Sequence, residues 1–376
     1  MQIRPTKACI NLSNLAHNYQ TIRAFTKNKK VIAVVKADAY GHGAKKVVEK
    51  LNKLDYPPIM YAVATVEEAI DLRRSNRDKD ILVFEPFSPS MVEAIKKYRF
   101  IVTITSMEQL EFLELLGLEF DVNYHIVIDT GMGRLGIKHY QIDELINLLK
   151  KIKIDSIKGL YTHFATSDED ERSFTELQFK RFDTVIAKIK AAGIDPGLIH
   201  AANSGGVFDH PSTQYGAVRA GIALYGFYKN RAKSIELGLK PVMSLISELG
   251  TVERARAGES ISYGRKYILS RDAWIGTIPV GYADGVRRAL LNRLSFLIEG
   301  KLYPQVGTIT MDRLMVDLGE DKLLPGCKVV LLSNINGSGC DCWNWCEILD
   351  TIPYEITVGV SRRVPRVYRE NANGFC

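Results

Sequence analysis

Eight short apolar runs, most of them separated by amphipathic helical segments, constrain this chain more than any other feature. They read "VIAVV" (31–35), "MYAVA" (60–64), "ILVF" (81–84), "FIVTI" (100–104), "YHIVID" (124–129), "IKGLYTH" (157–163), "LIHAAN" (198–203) and "VRAGIALYG" (218–226). Runs of this length rich in Val and Ile are what strands covered on both faces require. Between them lie helix-period segments. "SNLAHNYQTIRAFTK" opens on Ser13 as an expected N-cap, and "GAKKVVEKLNKL" places Val47, Val48, Leu51 and Leu54 at helical spacing. Strand and helix alternating eight times predict an α/β fold, a parallel (β/α)8 TIM barrel. Beyond about residue 230 helical periodicity gives way to short alternating runs with glycine turns, predicting a C-terminal all-β domain. The expected division is an N-terminal strand at 1–10 that joins the β domain, a barrel over 11–229 and the β domain over 230–376.

At 376 residues the chain exceeds what one hydrophobic core usually supports, so two domains are expected on length as well. Apolar residues make up 46% and charged residues 25%, which excludes a disordered or collagen-like chain. The net charge of +7 comes from Lys and Arg scattered along the whole length, so no nucleic-acid partner is expected. No secretory h-region and no run of membrane-spanning length occurs, so the expectation is a cytoplasmic protein without membrane contact. The six cysteines include the cluster "CDCWNWC" (Cys340, Cys342, Cys346), with Cys327 upstream and Cys9 and Cys376 at the ends. The cluster lacks the paired spacing and the histidine of a zinc site, so no metal and reduced structural thiols are expected.

The stretch "HIVIDTGMGRLG" holds Asp129 in an Asp-Thr-Gly sequence, the form in which an aspartic protease presents its carboxylate. That chemistry needs two carboxylates sharing a proton, and this α/β context offers one loop. Asp129 is expected to organise the turn after the fifth strand.

Lys36 follows the first run, where a barrel strand delivers its side chain to the catalytic face. Desolvation there lowers an amine's pKa, and an unprotonated amine forms a Schiff base with an aldehyde; a lysine snorkelling to solvent is the alternative. "HAANSGG" and "VRAGIALYG" occupy the seventh and eighth positions, where barrels most often cradle phosphate. Ser204 offers a hydroxyl, and Gly205, Gly206 and Gly221 permit close backbone approach, unless they only make turns. An aldehyde-binding lysine beside a phosphate cradle suggests pyridoxal 5'-phosphate.

"VVKADAYGHG", "IDTGMGRLG", "HAANSGG", "VRAGIALYG", "SYGRKY", "VGYADG", "VGTITMD" and "TIPYEITVGVSRRVPRVY" occur in that order over essentially the whole chain. Together they resemble the bacterial alanine racemases. The resemblance implies racemisation of L- and D-alanine, which supplies D-alanine for peptidoglycan, with pyridoxal phosphate held on Lys36. It also implies a head-to-tail homodimer with shared sites. Lys36 would be the base on one face of the substrate's α-carbon and Tyr263 on the other. Two faces demand two groups, because one rigidly held base reaches both poorly. Arg219 would hydrogen-bond to the pyridine nitrogen without protonating it. Tyr40, Ser204, Gly221, Ile222 and Tyr354 match phosphate positions, and His163 matches the histidine packed on the cofactor ring. Arg134, Met311, Asp312 and Tyr282 match substrate positions.

Two departures stand out. Many relatives carry, two residues before the Asp of "DTGMGRLG", a lysine modified to a carbamate that orients the arginine; here Val127 stands there. A chloride or an acidic side chain is the expected companion of Arg134, since an unpaired buried guanidinium is costly. Where "VGRVCMDQ" is common, this chain reads "VGTITMDR", with Thr308 for an arginine and Arg313 for a glutamine, which leaves serine and other small amino acids open as substrates. A non-catalytic pyridoxal-phosphate carrier shares the barrel but lacks the β domain and Tyr263.

Overall fold

A computed structural model of the chain describes residues 4–76, 78–119 and 121–370. They divide into two compact units, one of described residues 4–18, 40–43 and 225–370, the other of described residues 19–39 and 44–224. The first strand, β1 (Lys7–Asn11), belongs to the former. The other unit begins its sheet with β2 (Lys30–Val34), β3 (Met60–Val63), β4 (Asp80–Pro86), β5 (Ile101–Ile104) and β6 (Tyr124–Asp129). A two-residue strand β7 (Ile137–Lys138) follows, then β8 (Gly159–Tyr161), β9 (Leu198–His200) and β10 (Ala217–Ala220).

Every pairing among β2–β10 is parallel, and the ladder closes where Val102 of β5 meets Tyr124 of β6, making an eight-stranded barrel with β7 appended to β6. Val31–Val34, Met60–Val63 and Tyr124–Asp129 are buried along their whole length, as strands covered on both faces must be. Each fully buried Val, Leu or Ile there contributes about 1.5–3 kcal/mol of transfer free energy. The helices turn one stripe inward. Ala44–Leu51 buries Val47, Val48 and Leu51. Ile142–Lys151 buries Ile142, Leu145, Ile146, Leu148 and Leu149, with Asp143 and Glu144 in its first turn and Lys150 and Lys151 in its last, complementing the helix dipole.

The second unit is a nine-stranded sheet built on β1 together with β11 (Met243–Glu248), β12 (Thr251–Ala255), β13 (Ala273–Ile278) and β14 (Ser295–Ile298). β15 (Lys301–Val306), β16 (Leu314–Gly319), β17 (Lys328–Leu332) and β18 (Arg366–Arg369) complete it, in the order β12-β13-β16-β15-β14-β17-β11-β1-β18. β1 lies antiparallel to β11 and parallel to β18, so the two ends of the sequence are neighbours in one sheet.

Four local expectations change. The helix Leu12–Phe25 is capped by Asn11 and not by Ser13, because the Asn11 carboxamide oxygen accepts the N–H groups of Ser13 and Asn14 at 3.0 and 2.9 Å. The run "VRAGIALYG" is strand only to Ala220; Ile222–Tyr225 is a short 3₁₀ turn. "CDCWNWC" is helical, with Asp341 and Asn344 closing a reciprocal capping box at 3.1 and 2.9 Å ahead of Cys342–Leu349. Cys9 is disulfide-bonded, against the expectation of reduced thiols throughout, since spacing along the chain does not show which thiols folding brings together. Cys327, Cys340, Cys342 and Cys346 are free thiols, and Cys376 lies outside the described residues.

Two barrel glycines separate backbone conformation from crowding. Gly193 (φ +81°) has open space where a Cβ would stand, whereas a Cβ on Gly197 (φ +61°) would lie 2.2 Å from the Ile157 carbonyl oxygen. Gly193→Ala is expected to cost about 1 kcal/mol from the left-handed backbone alone. Gly197→Ala is expected to cost at least twice that, about 2–4 kcal/mol, because backbone must move. Urea unfolding of both variants measures the difference.

Candidate active site

Lys36 sits two residues past β2, half-buried, at the C-terminal end of the barrel strands. The four residues after it, Ala37, Asp38, Ala39 and Tyr40, all have φ between 51 and 55°, a left-handed turn made without glycine. Each such residue costs about 1–2 kcal/mol, so the conformation persists only because its surroundings impose it. The Glu68 carboxylate accepts the N–H of Ala37 at 2.7 Å through one oxygen and that of Ala64 at 2.8 Å through the other. Ala44 N–H donates to the Asp38 carboxylate at 2.8 Å, and Ala39 N–H to the Val35 carbonyl at 2.8 Å. Glu68, in the helix Val66–Arg73, thereby ties the segment carrying Lys36 to the residue that follows β3. Burial lowers the pKa of the Lys36 amine and the positive charge of Arg134 lowers it further, against a smaller opposing pull from Glu68.

Arg219, on β10, is 3% exposed and has no acidic partner among the described residues. It is held by neutral acceptors instead. One terminal nitrogen donates to His200 Nδ1 at 2.9 Å and the His200 carbonyl at 3.1 Å. The other donates to the Thr162 and Ala201 carbonyls, both at 2.8 Å, and lies 3.2 Å from His163 Nδ1. Its ring-facing neighbour is Tyr161, which lies beneath the guanidinium at 5.2 Å and stacks on His200 at 4.8 Å. These contacts set the tautomers. An arginine only donates, so His200 Nδ1 accepts, its Nε2 carries the proton, and that proton is donated to His125 Nδ1 at 2.9 Å. Burial, followed by the charge of Arg219, drives His125 down to about 3 and pushes His163 and His200 well below the usual imidazole range. Arg219 itself is lowered by burial to about 10 and remains charged at neutral pH. His163 also feels Arg134 and Lys36, so three cations surround one neutral imidazole.

Ser204 is buried at the start of the helix Ser204–Asp209, with its hydroxyl oxygen 3.4 Å from the N–H groups of Gly221 and Ala223, and Ile222 lies between them in the chain. Asn203 caps that helix through Gly206 N–H at 3.0 Å. Asp129 organises its turn: it accepts the N–H groups of Gly131 and Gly133 at 2.9 and 3.1 Å and pairs with Lys138 at 2.5 Å. Its carboxyl stays below the usual range, since burial, which raises it, is outweighed by these bonds. Arg134 corrects an expectation. It is exposed in this chain and forms no ion pair among the described residues, so the cost of a buried unpaired guanidinium does not arise here, and the nearby Asp129 is already committed. Val127 is buried in β6.

The remaining positions lie in the β unit. Tyr40 and Tyr354 have ring centroids 5.7 Å apart, and burial, then the neighbouring Tyr354, raises the Tyr40 phenol pKa. Tyr263, Tyr282 and Met311 are exposed. They occupy adjoining loops: Tyr282 N–H donates to the Thr310 carbonyl at 3.0 Å and Ala283 N–H to the Met311 carbonyl at 3.1 Å. Gly281 is required there, since a Cβ would meet the Thr310 carbonyl oxygen at 2.2 Å. Asp312 is gripped by Arg363 at 2.6 Å, and Arg363 with Arg4 also clamps the buried Asp284 at 2.7 and 2.6 Å.

Family models match both parts of the chain: the N-terminal domain of alanine racemase over residues 10–229 and its C-terminal domain over 242–368. The chain belongs to the alanine racemase family. The alanine racemase of Clostridium novyi is 37% identical over 98% of this chain and 96% of its own. The alanine racemase structure from Streptomyces lavendulae superposes with a TM-score of 0.92 at 29% identity, covering 99% of this chain and 98% of that one. The alanine racemase of Clostridium difficile gives 0.90 at 34% identity, over 99% and 97%. Within this family member, Glu68, His125, His200 and Tyr161 were not singled out from sequence. Glu68 has a signal, the Thr-Val-Glu-Glu of a capping box, and Thr65 does accept Glu68 N–H at 3.3 Å. What its carboxylate reaches instead of its own cap is invisible in sequence.

The histidines set an acid limit. Their folded pKa values lie below the unfolded value of about 6.5, so the unfolded chain binds more protons between the two and stability falls as pH drops through that window. Each contributes up to about 1.4 kcal/mol per pH unit. Denaturant unfolding of the apoprotein at pH 7 and pH 4.5 is expected to show this loss, and His125→Gln is expected to flatten the slope by about one proton.

Proposed function

We propose that this chain is a pyridoxal-phosphate-dependent racemase interconverting L- and D-alanine, supplying D-alanine for peptidoglycan. The observation that carries the reading is Arg219 together with Lys36: a permanently charged, buried guanidinium compensated only by carbonyls and neutral imidazoles, and an amine of lowered pKa at the same end of the barrel. The residues fit a planar anionic aldehyde. Lys36, Arg134 and Arg219 supply positive charge around His163, Ser204 and the Gly221 and Ile222 amides supply phosphate donors, and Arg219 Nε–H has no acceptor among the described residues. Tyr40 and Tyr354 are proposed as further phosphate donors.

When bound, pyridoxal phosphate supplies an electron sink that acidifies the α-proton of an amino acid attached to it. The rest belongs to the chain. Lys36 Nζ is the attachment point and the base on one face, and its lowered pKa leaves a larger neutral fraction to accept a proton. Arg219 would donate to the ring nitrogen without protonating it, since a guanidinium keeps its proton. The Tyr263 phenol serves the opposite face, Met311 and Asp312 meet the substrate carboxylate, and Tyr282 stands at the entrance. In this reading 11–229 is the cofactor domain and 230–376, with the strand at 1–10, the domain that lends Tyr263 to a second copy in a homodimer. The exposure of the Tyr263, Tyr282 and Met311 side chains supports a covering partner. An anion such as chloride beside the exposed Arg134 is proposed on its charge alone, since no acidic side chain pairs with it among the described residues. No described helix is long and apolar enough to cross a membrane, which fits the proposed cytoplasmic setting.

Incubation with L-alanine in deuterated water is expected to give deuterium at Cα with loss of optical rotation. Repeating it with serine and lysine measures strictness. Tyr263→Phe should keep cofactor absorbance and lose roughly 100-fold or more in turnover, the scale of a missing general base. A carrier protein would be indifferent to that change, and recovered alanine without Cα deuterium rejects the mechanism.

A further inference from the structure

Tyr263 stands on a turn that a chain does not adopt cheaply. Ser262, Gly264 and Arg265 around it have φ of 64, 73 and 48°, two of them non-glycine residues in the left-handed region. The turn is closed at its base by Ile261 N–H donating to the Tyr267 carbonyl at 2.9 Å. Its tip is held from the far end of β15. The Thr308 hydroxyl donates to the Tyr263 carbonyl at 2.7 Å, and the Ser262 hydroxyl donates to the Thr308 carbonyl, also at 2.7 Å. Residue 308 thus holds the main-chain carbonyl of Tyr263 and the side chain of the residue before it. Beside it, Asn292 accepts Gly307 N–H at 2.6 Å, and a Cβ on Gly307 would meet the Ile261 carbonyl oxygen at 2.6 Å, so strand end and turn are pressed together. Thr308 is 2% exposed while the Tyr263 side chain is 73% exposed: the backbone is fixed and the ring projects. Thr308 is also where this chain departs from the "VGRVCMDQ" pattern.

We propose that Thr308 is a positioning residue for the second base: its hydroxyl holds the Tyr263 carbonyl, its carbonyl holds the Ser262 hydroxyl, and together these set where the phenol oxygen stands. The proposal rests on the reading of Tyr263 as that base. Proton transfer tolerates displacements of only about half an ångström, so a loosened turn slows one face of the reaction and leaves the other intact.

The test uses holoenzyme carrying Thr308→Val, which keeps the branched shape and removes the hydroxyl, with Thr308→Ser as the conservative rescue. One lost hydrogen bond corresponds to a fall in kcat of roughly tenfold, with KM within about twofold and cofactor absorbance unchanged. The α-deuterium isotope effect should rise for one alanine enantiomer alone, the one whose solvent exchange is lost in Tyr263→Phe. Exchange of the other enantiomer, served by Lys36, should persist. Amide hydrogen exchange across 260–267 should accelerate in Thr308→Val and return towards the parent in Thr308→Ser. Ser262→Ala removes the second bond and should give the same signature if Thr308→Val does not fold. Parental kcat and isotope effects in Thr308→Val, or a symmetric loss that Thr308→Ser does not repair, overturn the proposal while Tyr263→Phe remains inactive. A fully active Tyr263→Phe overturns the base assignment and this proposal with it.

Discussion

The burial of Arg219 without a carboxylate partner governs the barrel's catalytic end. Moving a guanidinium out of water costs several kcal/mol, which acceptors on its terminal nitrogens offset here. Here the acceptors are the carbonyls of Thr162, His200 and Ala201 and two imidazole nitrogens. A carboxylate would have neutralised the charge; dipoles leave it in place. Burial first, and that charge second, hold the neighbouring histidines neutral, and the His200 tautomer follows from the fact that arginine can only donate. The result is a preorganised positive region whose polarity does not depend on a proton being taken up or released near neutral pH.

The same end of the barrel carries a second constraint, the left-handed turn after Lys36. Four consecutive non-glycine residues in that conformation are held by bonds to Glu68, Asp38 and Val35. The β unit repeats the device at Ser262–Arg265, where the Thr308 hydroxyl donates to the Tyr263 carbonyl and the Ser262 hydroxyl to the Thr308 carbonyl. Both residues proposed as bases are thus attached to strained backbone restrained by side chains distant in sequence. Strain concentrates where a side chain must be aimed, and the surrounding fold offsets its cost.

Much of the proposed site was legible because its residue types have few other uses in those contexts. Lys36 at a strand end, Arg219 inside an apolar strand and glycines beside Ser204 each conflict mildly with the local pattern, and that conflict marks them. Glu68 was hidden because its capping-box spacing is already explained by helix initiation. His125 and His200 were hidden because a histidine inside a strand reads as core until its partner is known. Arg134 was misjudged in the other direction: a substitution at Val127 suggested a buried, unpaired charge, and the chain leaves that side chain exposed.

Period alone determined the barrel, since short, mostly buried strands alternating with one-faced helices have few other ways to cover themselves. The change to short alternating runs after residue 230 likewise determined a β-rich second unit. The tertiary structure decided which residues act together. Placing β10 beside β2 and β9 brings Arg219 against His200, and closing β6 against β8 brings His125 within reach of His200. Charge state, tautomer and backbone strain all depend on distances between residues far apart in the chain. Local propensity carries no term for those distances, so no reading of sequence period could have supplied them.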